Sequence, residues 1–209
     1  MDDLKTHLNT INYKITDNKY FDRGGHGQLY KCINLKTKEL CALKIEKRKP
    51  DYHSTLLNEM SIYSKIRGSE KTGIPKIYDL GKTKDYYYII MRLYHKNIDD
   101  LKETAGSSFS LRTTLQIGLQ LLKILRKLHK QNIIHRDIKP ENVMVDKKNN
   151  IYLIDYGLAK KFTDLNNVKL FKTEANKTRC GTVRYMSIDC HKRTRLSRKD
   201  DLLSLGYVL

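Results

Sequence analysis

His135-Arg136-Asp137-Ile138-Lys139-Pro140-Glu141-Asn142, followed after a short apolar segment by Asp155-Tyr156-Gly157, is the stretch that decides how this chain reads. In order it holds a carboxylate suited to take a hydroxyl proton, Asp137, and an amine suited to face a phosphate, Lys139. Asn142 and Asp155 then supply side-chain oxygens of the kind a hard divalent cation needs. One such residue would be ordinary turn polarity, but the ordered set matches the parts list of phosphoryl transfer. His135 and Arg136 read as supports, the ring packing beneath the loop and the guanidinium offsetting nearby acids.

Upstream, Gly24-Gly25-His26-Gly27-Gln28-Leu29-Tyr30 has the glycines of a close backbone cover over phosphates, with Leu29 placed to pack on a purine base. Alone this is weak, since glycines also cluster in plain hairpins, and it is neither a Walker loop nor a clean GxGxxG. Its weight comes from Lys44, which ends the apolar strand pattern Leu40-Cys41-Ala42-Leu43-Lys44-Ile45 and is expected to neutralise the alpha and beta phosphates of ATP. Glu59, on the next predicted helix, is expected to orient Lys44.

With 209 residues and 39 % hydrophobic composition, the chain suits one large or two modest folding units with a substantial core. Its longest apolar runs fall well short of the roughly 20 residues that cross a bilayer, and MDDLKTHLNT lacks the charged-then-apolar order of a signal peptide. A soluble protein of the cytoplasm or the nucleus is expected. Cys32, Cys41, Cys180 and Cys190 form no CxxC pair, so reduced thiols are expected rather than zinc, the first two filling strand positions. The formal charge of +18 favours anionic partners without choosing among them. The densest basic run, His191 to Lys199, reads as a solvated loop, a contact for acidic substrates, or a nucleic-acid or nuclear-import signal.

Residues 14 to 48 read as strands around a glycine-rich turn and a polar hairpin centred on Asn34 to Lys38. Ser54 is a predicted cap for a helix ending near Gly68, with Glu59, Ile62 and Ile66 on one face. Tyr86 to Arg92 is the next strand, and His95 to Asp100 a polar connector at whose junction the nucleotide is expected. Ser110 caps a predicted helix to about Lys130, its apolar stripe formed by Leu115, Leu119, Leu122, Leu125 and Leu128. Val143 to Val145 and Ile151 to Ile154 flank a turn as a hairpin.

These residues together resemble the casein kinase 1 group of serine/threonine protein kinases, with features of the related vaccinia-related and tau-tubulin kinases. Beyond the general motifs, the resemblance rests on Gly73-Ile74-Pro75, on Gly181-Thr182-Val183-Arg184-Tyr185-Met186-Ser187-Ile188-Asp189, and on the run from Ser197 to Leu209. It covers residues 14 to 209 and implies an α+β, bilobal kinase fold. Residues 1–13 are then an extension, 14–94 an antiparallel β-sheet N-lobe with one main helix, and 95–209 a mostly helical C-lobe that stops within its helix F, as expected of a fragment. The implied nucleotide site comprises Asp22, Arg23, Gly24, Gly25, Gly27, Leu29, Ala42, Lys44, Met91 as gatekeeper, Leu93 at the hinge, and Asp100 near ribose. Asp137, Lys139, Lys44, Glu59 and Thr182 are the implied catalytic set, with Thr182 supporting the Asp–Lys pair, and Asn142 and Asp155 hold Mg2+. Arg184 matches a residue that binds a substrate anion, which implies protein substrates with acidic or phosphorylated Ser/Thr segments, acted on by a monomer.

Three positions depart from that pattern. Asp22 stands where the loop's first glycine is expected, Arg92 where a glutamate is common, and Tyr156 in place of the usual Phe. None removes a catalytic group. A non-catalytic scaffold with the same fold, and a basic nucleic-acid-binding module, remain the alternative readings.

Overall fold

The computed structural model describes residues 1–17, 19–20, 22–24, 27–50, 53–66, 72–106, 108–162 and 180–209, with backbone alone for 22–24. The chain divides into two compact units, Met1–Lys65 with Pro75–Tyr94, and Ile66–Ile74 with His95–Leu209.

The first unit is an antiparallel sheet between two helices. It contains α1 (Asp2–Thr10), β1 (Tyr13–Ile15), β2 (Asp22–Gly24), β3 (Gly27–Asn34), β4 (Leu40–Lys47), α2 (Thr55–Tyr63), β5 (Ile77–Lys82) and β6 (Tyr86–Arg92). The sheet runs β1-β3-β4-β6-β5, with β2 paired to β3. The β3–β4 hairpin closes because Asn34 Oδ1 accepts from the N–H groups of Lys36 and Thr37, and Lys38 takes a left-handed φ of 62°. Strand alternation then sorts the sheet. Cys41, Leu43 and Ile45 of β4, with Tyr88 and Ile90 of β6, are buried in one cluster with Leu4 and Leu8, which lie one turn apart on α1. Residues 1–13 thus hold a helix seated on the back of the sheet. Period two sends Ala42 and Lys44 to the opposite face, where Glu59 of α2 meets Lys44.

Helix α2 starts where the sequence places it, since the Ser54 side chain accepts from the Leu57 N–H. It ends earlier than expected, at Tyr63. There the Ser64 hydroxyl donates to the Ser61 carbonyl and the Lys65 N–H to that of Ile62, tightening the last turn. The expected end near Gly68 lies outside the described residues.

The second unit is mostly helical. It contains β7 (Lys96–Asn97), α3 (Ile98–Thr104), α4 (Leu111–Lys130), β8 (Ile133–Ile134), β9 (Val143–Val145), β10 (Ile151–Leu153), β11 (Lys160–Lys161), α5 (Ile188–His191) and α6 (Arg198–Val208). The stretch expected as a polar connector is more ordered than that. Lys96 and Asn97 pair with Val145 and Met144, and Asn97 with Asp100 makes a reciprocal capping box that starts α3. The predicted hairpin is present as β9–β10, and Ser110 caps α4 by accepting from the Thr113 N–H.

The apolar stripe expected on α4 is corrected. The buried face is Ile117, Leu121, Ile124, Leu125 and Leu128, whereas Leu115, Leu119 and Leu122 are 56 %, 58 % and 45 % exposed. The helix carries leucines on two faces at helical spacing, and periodicity alone does not say which one meets the rest of the unit. Among the described residues no helix is long and apolar enough to cross a membrane.

Candidate active site

In the first unit the site centres on a buried ion pair carried by regular elements. Lys44, 8 % exposed, places Nζ 2.7 Å from Oε2 of the fully buried Glu59. β4 aims Lys44 by alternation and α2 aims Glu59 by helical phase. Leu29 lies opposite Lys44, and Met91 opposite Ala42, in the strand register. Leu93 follows directly after β6. Gly27 begins β3 at φ +128°, and a Cβ there would meet the Ile45 carbonyl oxygen at 2.6 Å, so only glycine fits. Asp22, Arg23 and Gly24 pair through backbone with Leu29, Gln28 and Gly27. Gly25 lies outside the described residues.

The second unit builds its site from irregular backbone. Arg136 and Asp155 both adopt left-handed φ, 69° and 63°. Such conformations are unfavourable for side-chain-bearing residues and persist where the surroundings over-determine them. Those surroundings are explicit. Asp201, in the first turn of α6, is buried and accepts from the His135 N–H at 2.9 Å, the Arg136 N–H at 2.9 Å and His129 Nε2 at 2.8 Å. The Arg136 guanidinium donates through Nε to the Leu158 carbonyl at 2.7 Å. His135 donates from Nε2 to the Ile154 carbonyl at 3.0 Å, while its Nδ1 accepts from the Asp137 N–H, and its ring meets that of Tyr156 edge-on at 4.9 Å. Tyr156, in place of the usual Phe, is fully buried there.

On this support Asp137, 5 % exposed, is held from several sides. Its Oδ1 accepts from the Thr182 N–H at 2.8 Å and the Thr182 hydroxyl at 2.9 Å. Its Oδ2 accepts from Asn142 Nδ2 at 3.2 Å and faces Lys139 Nζ at 3.3 Å. Asn142 Nδ2 also donates to the Asp137 carbonyl at 2.9 Å, which leaves the amide oxygen as the atom suited to a cation. The Ile154 N–H donates to the Asn142 carbonyl, setting Asp155 one residue beyond that contact. Gly181 makes the approach of Thr182 possible, since at φ +100° its Cβ would lie 2.6 Å from the Arg136 carbonyl oxygen.

The structure therefore brings Asp137, Lys139, Asn142 and Thr182 together in the second unit, and Lys44 with Glu59 in the first. Among the described residues no group of three or more His, Cys, Asp or Glu is disposed to hold a metal. One carboxylate and one amide oxygen nevertheless fit Mg2+, which takes few protein ligands and completes its shell with water and phosphate oxygens. Asp100 uses its carboxylate to accept from the Asn97 N–H at 3.1 Å. Arg184 is exposed on the turn Val183–Tyr185, its guanidinium 5.8 Å from the Tyr185 ring.

Residues 16–209 match the model of the protein kinase domain. The chain belongs to the protein kinase family. The kinase domain reading gives Asp201 and His129 a place that sequence reasoning missed, since they hold the loop carrying Asp137 without touching any reacting group. A signal was present: the acids at 200 and 201 both stand in the first turn of α6, and a capping box needs only one. Asp200 is that one, accepting from the Ser197 N–H at 2.6 Å and from the Ser187 hydroxyl at 2.6 Å. A general protein kinase activity follows from the family.

Proposed function

We propose that this chain is an ATP-dependent serine/threonine protein kinase of the casein kinase 1 type, acting on Ser or Thr hydroxyls in acidic or already phosphorylated segments. The observation that carries the reading is the pinning of Asp137 by both donors of Thr182, by Asn142 and by Lys139. A carboxylate held on Oδ1 by two hydrogen bonds is oriented so that Oδ2 receives the proton of a substrate hydroxyl, while Lys139 offsets charge on the phosphoryl group in flight. Lys44, oriented by Glu59, binds the alpha and beta phosphates. Asn142 and Asp155 would hold Mg2+, which would supply positive charge to neutralise the phosphates.

Arg184, exposed beside Tyr185, and the largely exposed run from His191 to Arg195 supply positive charge for an acidic segment of the substrate. The domain works as a monomer in the cytoplasm. A second reading, a scaffold that binds nucleotide without turnover, is favoured by Asp22, an acidic residue where the resembled loop has its first glycine.

Magnesium-dependent transfer of the gamma phosphate to an acidic Ser/Thr peptide tests both. Activity lost in Asp137→Asn by roughly 10²–10⁴-fold supports the kinase. Nucleotide binding with no transfer by folded protein supports the scaffold, and indifference to acidic residues in the peptide removes the substrate preference.

A further inference from the structure

Two of the four cysteines stand beside the segment that holds Asp137. Cys190, in α5, is buried in an apolar cluster with Ile134, Met186 and Leu196, and Cys180 packs against that cluster while remaining partly exposed. The two cysteines are neighbours: Cys190 Sγ donates to the Cys180 carbonyl at 3.0 Å, and Cys180 packs against the cluster that holds Cys190. Cys32 and Cys41 also face each other, across β3 and β4, but both are fully buried, and burial pushes their thiols up to about 12 and about 11. Only the 180/190 pair offers one sulfur to a solute and a second sulfur next to it.

The two thiols are anchored unequally. The Cys190 N–H donates to the Ser187 hydroxyl at 3.2 Å, and that hydroxyl donates to buried Asp200, the neighbour of the loop-holding Asp201. Cys180 instead precedes Gly181, whose backbone lies against the Arg136 carbonyl, and Thr182, which donates both hydrogen bonds to Asp137 Oδ1. A covalent bond between the sulfurs therefore draws Cys180 toward Cys190 and gives up the Cys190–Cys180 hydrogen bond. The displacement reaches Thr182 through a single glycine.

We propose that Cys180 and Cys190 form a redox pair whose disulfide withdraws Thr182 from Asp137 and switches phosphoryl transfer off. The last step rests on the kinase reading above; the first two do not. The oxidant is hydrogen peroxide. The Cys180 thiolate attacks one peroxide oxygen, an S–O bond forms as the O–O bond breaks, and hydroxide leaves and takes a proton to become water. The Cys190 thiol then attacks the sulfenic sulfur, the S–S bond forms, the S–O bond breaks, and the oxygen departs as a second water. The two sulfurs lose two electrons and the peroxide gains two; two thiols from a reductant reverse the reaction. Burial raises the Cys180 thiol, against an opposing pull from Arg136, so oxidation is slow at neutral pH and accelerates as pH rises.

The test treats the full 209-residue chain with hydrogen peroxide under native conditions, alkylates free thiols and maps the digest by mass. A Cys180–Cys190 linkage, faster amide hydrogen exchange at Thr182, and transfer reduced by about 10²-fold and restored by dithiothreitol are expected. Cys190→Ser and Cys180→Ser should each keep transfer and lose its peroxide sensitivity. Absence of the linkage overturns the pair, and a linked protein with unchanged Thr182 exchange or unchanged transfer overturns the switch. If the reduced protein transfers no phosphate, the kinase reading fails, while linkage and Thr182 exchange still decide whether the pair moves that segment.

Discussion

Lys44 sits on a regular strand and meets a partner 15 residues away on the following helix, whereas Asp137 sits on irregular backbone held by residues 45 to 66 positions further on. The first arrangement places a charge pair by strand alternation and helical phase. The second needs a left-handed Arg136, a left-handed Asp155, and Asp201 accepting from two backbone N–H groups and a histidine. Regular elements aim a side chain cheaply, while an unusual backbone has to be tied down by buried hydrogen bonds from a distance.

The sharpest way to break that contrast is Asp201→Ala. It leaves two buried N–H groups and His129 without their common acceptor, and a loss of about 3–5 kcal/mol in denaturant unfolding is expected, with transfer falling too. Glu59→Ala removes the carboxylate that pairs with Lys44, and about 2–3 kcal/mol is expected. If calorimetry or urea unfolding shows it costing as much as Asp201→Ala, the two centres are not built differently.

Gly27→Ala adds a Cβ against the Ile45 carbonyl at a φ that suits only glycine, for an expected loss of about 1–3 kcal/mol. Gly206→Ala, inside α6 with open space around the new Cβ, should instead stabilise by about 0.5–1 kcal/mol. Equal signs for the two glycines would refute the geometry at Gly27.

The smallest effect concerns the β9–β10 hairpin beside Asn142. Burial pushes the Asp146 carboxyl up, but hydrogen bonds from Asn150, Lys148 and Tyr152 outweigh it and lower its pKa below 3.8. A lowered carboxylate adds stability that is complete above its unfolded value and fades as pH falls through the folded one. Asp146→Ala should therefore cost about 1 kcal/mol near neutrality and less below pH about 3.8, read as the change in unfolding midpoint with pH.

Legibility followed the same division. The β3–β4 hairpin, the caps Ser54 and Ser110 and the strand Tyr86–Arg92 were readable because each is written in local pattern, turn chemistry or a side chain three residues from its target. The buried face of α4 was not, because two leucine faces compete on one helix and only packing selects between them. The seat of α1 on the sheet was equally hidden, since Leu4 and Leu8 show an apolar pair but not what covers it.

By itself the sequence determined which chemical groups this protein kinase carries and their order along the chain, because motif spacing and local periodicity are properties of neighbours. The resemblance also pointed Thr182 at Asp137, and only the tertiary structure decided that Asp201 rather than Asp200 holds the loop and that Cys180 meets Cys190. No local pattern links those partners, and a buried donor takes whichever acceptor the packed fold brings within reach.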